Sequence, residues 1–179
     1  MRTTQHEIRY LTPGELIRLR RRVKARSLQA KESGAVTAVR SWIFLDTLLS
    51  SGLRASDVAD LRVGDCLLGY GQTSLVVRQG KGDKQREVFP QELRTHLKAF
   101  LAWKRDHGEA VSDEATVFID QRGSLTGNGV WRLVKGLMAA VGLDPRYATH
   151  SCRHYLPCRT MSSNRDRVCG MFQSYRAQT

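Results

Sequence analysis

Three short stretches of this chain carry side chains able to handle a phosphate group. Arg54 stands in Ser51-Gly52-Leu53-Arg54-Ala55-Ser56-Asp57, and Lys81 in Gly80-Lys81-Gly82-Asp83-Lys84-Gln85-Arg86. His150 and Arg153 belong to His150-Ser151-Cys152-Arg153-His154. A guanidinium presents paired N–H donors in a fixed fork that matches phosphate oxygens. Imidazole and ammonium groups donate hydrogen bonds and move protons. His150 and Arg153 lie three positions apart, so a helix would put them on one face. Asp57, three after Arg54, is spaced to hold that guanidinium in place. Lys81 falls on a Gly-rich turn between two extended apolar stretches, a hairpin tip that could enter a groove. Each of these residues, taken singly, also has an ordinary structural reading: an arginine at a helix start, a turn lysine, a histidine beside a helix cap.

The elements that must position these residues can be read from the pattern. Thr12-Pro13-Gly14-Glu15 predicts a helix start, with Thr12 as cap, Pro13 in the first turn and Glu15 closing a capping box. Leu16, Leu19 and Val23 recur at helical spacing, and the other face carries Arg18, Arg20, Arg21, Arg22, Lys24 and Arg26. That basic run reads either as a solvated face or as a phosphate-contacting face, with Arg18, Arg21 and Arg22 as the candidates. A second helix is expected from about Ala35 to Ser50, ended by Gly52, and a short third over Ser56 to Leu61. Cys66-Leu67-Leu68, Ser74-Leu75-Val76-Val77 and Glu87-Val88-Phe89 then predict three short strands. Pro90 opens the next expected helix, Val117-Phe118-Ile119 a brief extended segment, and Gly129 to Val141 a helix with Trp131, Val134, Leu137 and Met138 inward. A last helix is capped by Thr149 or Ser151. Helices, a meander and more helices, without βαβ alternation, predict an α+β fold, mostly helical with a small three-stranded antiparallel sheet.

The 179 residues suit one domain of ordinary size, and 41% apolar content is enough for a core. Lysine and arginine total 29 against 17 acidic residues, a net charge of +12 that suits a polyanionic partner. No apolar stretch is long enough to span a bilayer, and no segment pairs a basic face with a strongly apolar one, so a membrane partner is not expected. The N-terminus has no apolar signal core, which places the chain in the cytoplasm. Cys66, Cys152, Cys158 and Cys169 form no CxxC pair. Cys152, His154 and Cys158 lack the second half of a zinc site, so the cysteines read as reduced thiols with no metal.

In order, the three stretches resemble the first arginine box, the β-hairpin lysine motif and the His-x-x-Arg box of tyrosine recombinases, the phage integrase family, including its Xer-like members. The resemblance covers about residues 8 to 156. It implies a catalytic domain at 1–156 that cuts and rejoins DNA strands through a 3′-phosphotyrosyl intermediate, with no metal, ATP or other cofactor. Arg54 and Arg153 would then grip the non-bridging phosphate oxygens, and Lys81 would protonate the leaving 5′-oxygen. His150 and His154 would add hydrogen bonds or proton transfer, while Lys84 and Arg86 would join the DNA contacts. The implied partner is double-stranded DNA, with self-association on it, at the nucleoid.

Residues 157–179 depart from the family's pattern. Pro157 interrupts the helix expected after the box, and no Leu-Gly-His follows. A family core-binding domain before the first box is also not recognisable, so the chain reads as incomplete at both ends. Tyr175 is the candidate nucleophile by order, its other and preferred reading being an unrelated residue in a frayed tail, and Tyr155, next to the box, ranks below it. The surroundings of Tyr175 do not match the family's, and strand cleavage is expected to be very slow or absent. The alternative is a non-catalytic DNA-binding remnant of an integrase. An RNA-binding role has no aromatic-rich strand signature behind it.

Overall fold

The computed structural model describes residues 10–69, 73–78, 86–90, 92–121 and 123–155; of Lys31, Glu32, Arg86, Arg153, His154 and Tyr155 it describes the backbone alone. Helix α1 runs Pro13–Ser33 and starts on the expected capping box. The Thr12 N–H donates to Glu15 Oε2 at 2.8 Å, and the Glu15 N–H donates to Thr12 Oγ1 at 3.3 Å. The helix ends on Gly34, whose φ of 73° is left-handed and suits a residue without Cβ.

Helix α2, Val36–Ser51, is the centre of the molecule. Its buried residues lie on all sides, from Val39 and Trp42 through Phe44, Leu45, Leu48 and Leu49, as expected of a helix enclosed by others. Gly52, with φ 63°, ends it and turns the chain into the short helix α3, Ala55–Ala59. α1 packs antiparallel on α2: Arg20 meets Asp46 and Ser50, and Lys24 lies over the Trp42 ring. The first turn of α1 therefore lies beside the last turn of α2.

A 3-10 turn at Val63–Asp65 leads into an antiparallel sheet, β1 (Cys66–Leu67), β2 (Ser74–Val77) and β3 (Arg86–Val88), in that order. Cys66, Leu75 and Val88 stand in one row across the three strands, and all three are buried. β3 sits one residue earlier than expected. Helix α4, Leu93–Asp106, starts three residues after Pro90, whose carbonyl accepts the Leu93 N–H at 3.0 Å. The extended segment expected at 117–119 is in part a hairpin, β4 (Ile119–Asp120) with β5 (Gly123–Ser124). Helix α5, Gly127–Ala139, is capped by Thr126, and a 3-10 turn, Thr149–Tyr155, replaces the expected final helix. The α+β fold class holds.

The core joins α2, α4 and the segment before β4. Phe118 meets Phe44 edge to face at 5.2 Å and stacks near Phe100 at 6.1 Å. Such pairs add about 1 kcal/mol each beyond the area they bury. Trp131 corrects one expectation: it is exposed, not inward. Val130, Val134, Leu137 and Met138 define the buried stripe of α5, and Trp131 falls roughly 100° around the helix from Val130. Its ring instead covers the Lys135 ammonium at 5.8 Å.

Candidate DNA phosphate site

Arg54 owes its place to the end of α2. After Gly52 reverses the helix, Leu53 is buried and Arg54 becomes the N-cap of α3, half-buried. Asp57 reaches Arg54 through the backbone: its Oδ2 accepts the Arg54 N–H at 3.2 Å. Arg54 in turn accepts the Val58 N–H through its carbonyl at 3.0 Å. The spacing that suggested a guanidinium partner thus also serves a helix start.

His150 is exposed within the turn Thr149–Tyr155, and the backbones of Arg153 and His154 follow in the same turn. The element that carries His150 and Arg153 is thus a 3-10 turn, not the α-helix expected. Ser151 works inside the turn, its Oγ accepting the Ala148 N–H at 3.1 Å. Cys152 is buried, and burial pushes its thiol up to about 12. A thiol so protonated at neutral pH is neither nucleophile nor ready metal ligand. Burial and the Asp65 carboxylate do the same to Cys66, also to about 12. Among the described residues, no group of three or more His, Cys, Asp or Glu is placed to hold a metal ion.

The two boxes reach one end of the α1–α2 pair. The turn Thr149–Tyr155 packs against α2 and α5. The Leu11 N–H, just before α1, donates to the Ser151 carbonyl at 3.3 Å. The Tyr147 hydroxyl donates to the Glu15 carboxylate at 3.1 and 3.2 Å. The Arg54 segment starts at the same end, where α2 stops. Lys81, Lys84 and Tyr175 lie outside the described residues. Arg86 opens β3 opposite Val77. Arg18, Arg21 and Arg22 are exposed on α1. Arg20, grouped with them by sequence, belongs elsewhere: its Nε donates to the fully buried Asp46 at 2.8 Å.

Asp46 was not legible as a site. Besides Arg20 it meets His96 Nδ1 at 2.6 Å, and these groups compensate a carboxylate in the core. A lone acid in an apolar helix is itself the signal, because such a charge needs a partner. Another buried charge, Lys104, is held by Glu109 at 2.9 Å and the Val117 carbonyl at 3.1 Å. Burial alone would raise the Glu109 carboxyl, but hydrogen bonds from Lys104 and Arg40 outweigh it and hold the group below its ordinary value. A cavity of about 710 Å³ lies between α2, the β4–β5 hairpin and α5. Its α2 residues, Thr37 to Phe44, come from the half of the helix away from Arg54, so the cavity is separate from the boxes. Among the described residues no helix is long and apolar enough to cross a membrane.

A helical domain around a small antiparallel sheet, with an arginine box and a His-x-x-Arg turn at one end of its central helices, defines the class to which comparison can be made. Residues 18–165 match the Phage integrase family, and the chain belongs to that family. It is 30% identical over 132 residues to tyrosine recombinase XerD of Oceanobacillus iheyensis, covering 72% of this chain and 43% of that protein. Tyrosine recombinase XerA of Pyrococcus furiosus is 30% identical over 120 residues, covering 63% and 39%. The chain thus spans less than half the length of these relatives. The crystal structure of XerA recombinase shares the fold with a TM-score of 0.62 at 22% identity, covering 86% of this chain and 49% of that one. XerH recombinase bound to its difH substrate gives 0.63 at 23%, covering 81% and 40%.

Proposed function

We propose that this chain is the catalytic domain of a site-specific DNA recombinase, cutting and rejoining strands through a 3′-phosphotyrosyl link. The observation that carries this reading is the arrival of the Arg54 segment and the Thr149–Tyr155 turn at the same end of α1 and α2. Family membership supports it, as does the likeness to a recombinase bound to its DNA substrate.

In this chemistry a tyrosine oxygen attacks a DNA phosphorus and the 5′-oxygen leaves. The transition state carries extra negative charge on the non-bridging oxygens. Arg54 and Arg153 fork onto those oxygens, and each such donor is worth about 3 kcal/mol. Lys81 gives a proton to the departing 5′-oxygen, while His150 and His154 hydrogen-bond or relay protons around the phosphate. A 5′-hydroxyl from a second strand then reverses the step, so the bond energy is kept and no cofactor is consumed. Arg18, Arg21, Arg22, Lys84 and Arg86 hold flanking phosphates. The protein works on double-stranded DNA in the cytoplasm, at the nucleoid, with copies associating on the duplex for strand exchange.

Tyr175 takes the nucleophile's role by its order after the His-x-x-Arg box. The family match ends at residue 165, ahead of Tyr175, and cleavage by this chain is very slow. The test is a pool of nicked duplexes that trap the covalent intermediate, followed on a denaturing gel. A weak adduct lost in Tyr175→Phe and in Arg54→Ala is expected. An adduct that survives Tyr175→Phe moves the nucleophile to Tyr155. An adduct independent of Arg54 overturns the site, and DNA binding without any adduct makes the chain a DNA-binding remnant of an integrase.

A further inference from the structure

The segment that delivers the His-x-x-Arg box, residues 143–148, has no regular secondary structure, yet a side chain from α5 holds its backbone. Lys135, half-buried on α5, donates from Nζ to the carbonyls of Pro145 and Tyr147, the latter at 2.9 Å. An ammonium has three N–H donors, so two are directed at the chain just before His150. The Trp131 ring lies 5.8 Å from the same nitrogen, on the exposed side of the helix. Lys135 is therefore turned toward the protein instead of standing free as a surface cation.

From these contacts we infer that Lys135 is a positioning residue: it fixes the segment that presents His150 and Arg153 to phosphate. The inference rests on the reading that those two residues face DNA. The α1 side supplies the opposing supports, through Glu15 to the Tyr147 hydroxyl and Leu11 to the Ser151 carbonyl. Lys135 closes the other side from α5. A turn held on one side only would let His150 shift, and small displacements of a reacting group are costly. An arginine at this position keeps charge and donors for two carbonyls. A methionine keeps the length and apolar stem but loses both.

The test follows the His150 ring by NMR in the full chain, assigned with His150→Gln, as a random-sequence duplex is added at low salt. The unaltered chain is expected to show a DNA-induced shift of the ring. In Lys135→Met the shift collapses and the ring signal broadens, while affinity for the duplex stays within about twofold, because flanking cations carry most of the binding. Lys135→Arg restores the shift. If Lys135→Met loses its helical circular dichroism, Lys135→Ala, which also removes the charge and both donors and suits a helix, takes its place with the same readings. A full shift in the methionine or alanine variant overturns the positioning role while leaving the DNA site intact. Absence of any shift in the unaltered chain overturns the site assignment, and the inference with it.

Discussion

The carboxylate of Glu15 and the hydroxyl of Tyr147 meet at 3.1 and 3.2 Å across 132 positions of sequence, joining the first turn of α1 to the approach to His150. Glu15 also accepts the Thr12 N–H and hydroxyl, both at 2.8 Å. One side chain thus caps a helix and ties a loop.

This relationship has a pH signature. The backbone N–H of Thr12, then its hydroxyl, and more weakly the Tyr147 hydroxyl and Arg18 hold the Glu15 carboxyl below its ordinary value. A carboxyl lowered on folding stabilises above its unfolded value, about 4.3, and loses that contribution as pH falls through the folded value. Glu15→Gln, which keeps a carbonyl oxygen for the Thr12 N–H but loses the charge, should therefore be the less stable chain near neutral pH, with the gap to the unaltered chain closing in acid. Urea melts at several pH values check this; a gap that widens in acid contradicts it.

Asp46 should be among the most sensitive single positions for stability. It is fully buried, with Arg20 and His96 as partners. Asp46→Ala leaves two cationic or polar groups facing the core without it, a loss on the order of 3 kcal/mol. Thermal melts of Asp46→Ala against Arg20→Ala measure this. A change within the noise for both would mean that the buried cluster does not contribute.

Cys152 should resist alkylation in the folded chain although it lies between His150 and Arg153. Burial keeps its thiol protonated, up to about 12, and screens it from reagent. Mass spectrometry after iodoacetamide treatment at neutral pH should find Cys152 and Cys66 unmodified until denaturant is added. Rapid modification of Cys152 in the native chain would mean that the turn carrying the box opens easily.

The exposed row on α1 predicts how DNA binding answers to salt. If Arg18, Arg21 and Arg22 each neutralise one phosphate, replacing any one by Gln should flatten the log-affinity against log-salt slope by about 0.9. Arg20→Gln should leave the slope unchanged, because that guanidinium is committed to Asp46 and Ser50. Fluorescence anisotropy across a salt series separates the two cases. Equal effects at Arg20 and Arg21 would contradict the division of the run.

Much of the fold was legible because its signals are local. Thr12, Pro13 and Glu15 mark the start of α1 by their own chemistry, and Gly34 and Gly52 mark helix ends because each adopts a left-handed φ. The central sheet showed in short apolar runs, with β3 displaced by a single residue. The β4–β5 hairpin has two residues per strand, too few for an alternation to show. The helical spacing of Trp131 to Val134 and Met138 predicts it inward, but the stripe of α5 is set by Val130 and Val134. The Arg54 and His150 boxes were found by residue type and order. What sequence could not reveal was who partners whom: Asp46 with Arg20 and His96, or Lys135 with the backbone before the box. Those pairings depend on chain segments brought together by packing.

The central claim is that Arg54 and Arg153, ninety-nine positions apart in sequence, act on one phosphate. A double-mutant cycle for duplex binding at low salt tests it most directly, using Arg54→Ala, Arg153→Ala and the double variant. Two guanidinium groups on one phosphate should be coupled, with the double loss differing from the sum of the single losses by about 1 kcal/mol or more. Losses that add within roughly 0.3 kcal/mol would mean two independent contacts, and would contradict a shared phosphate site.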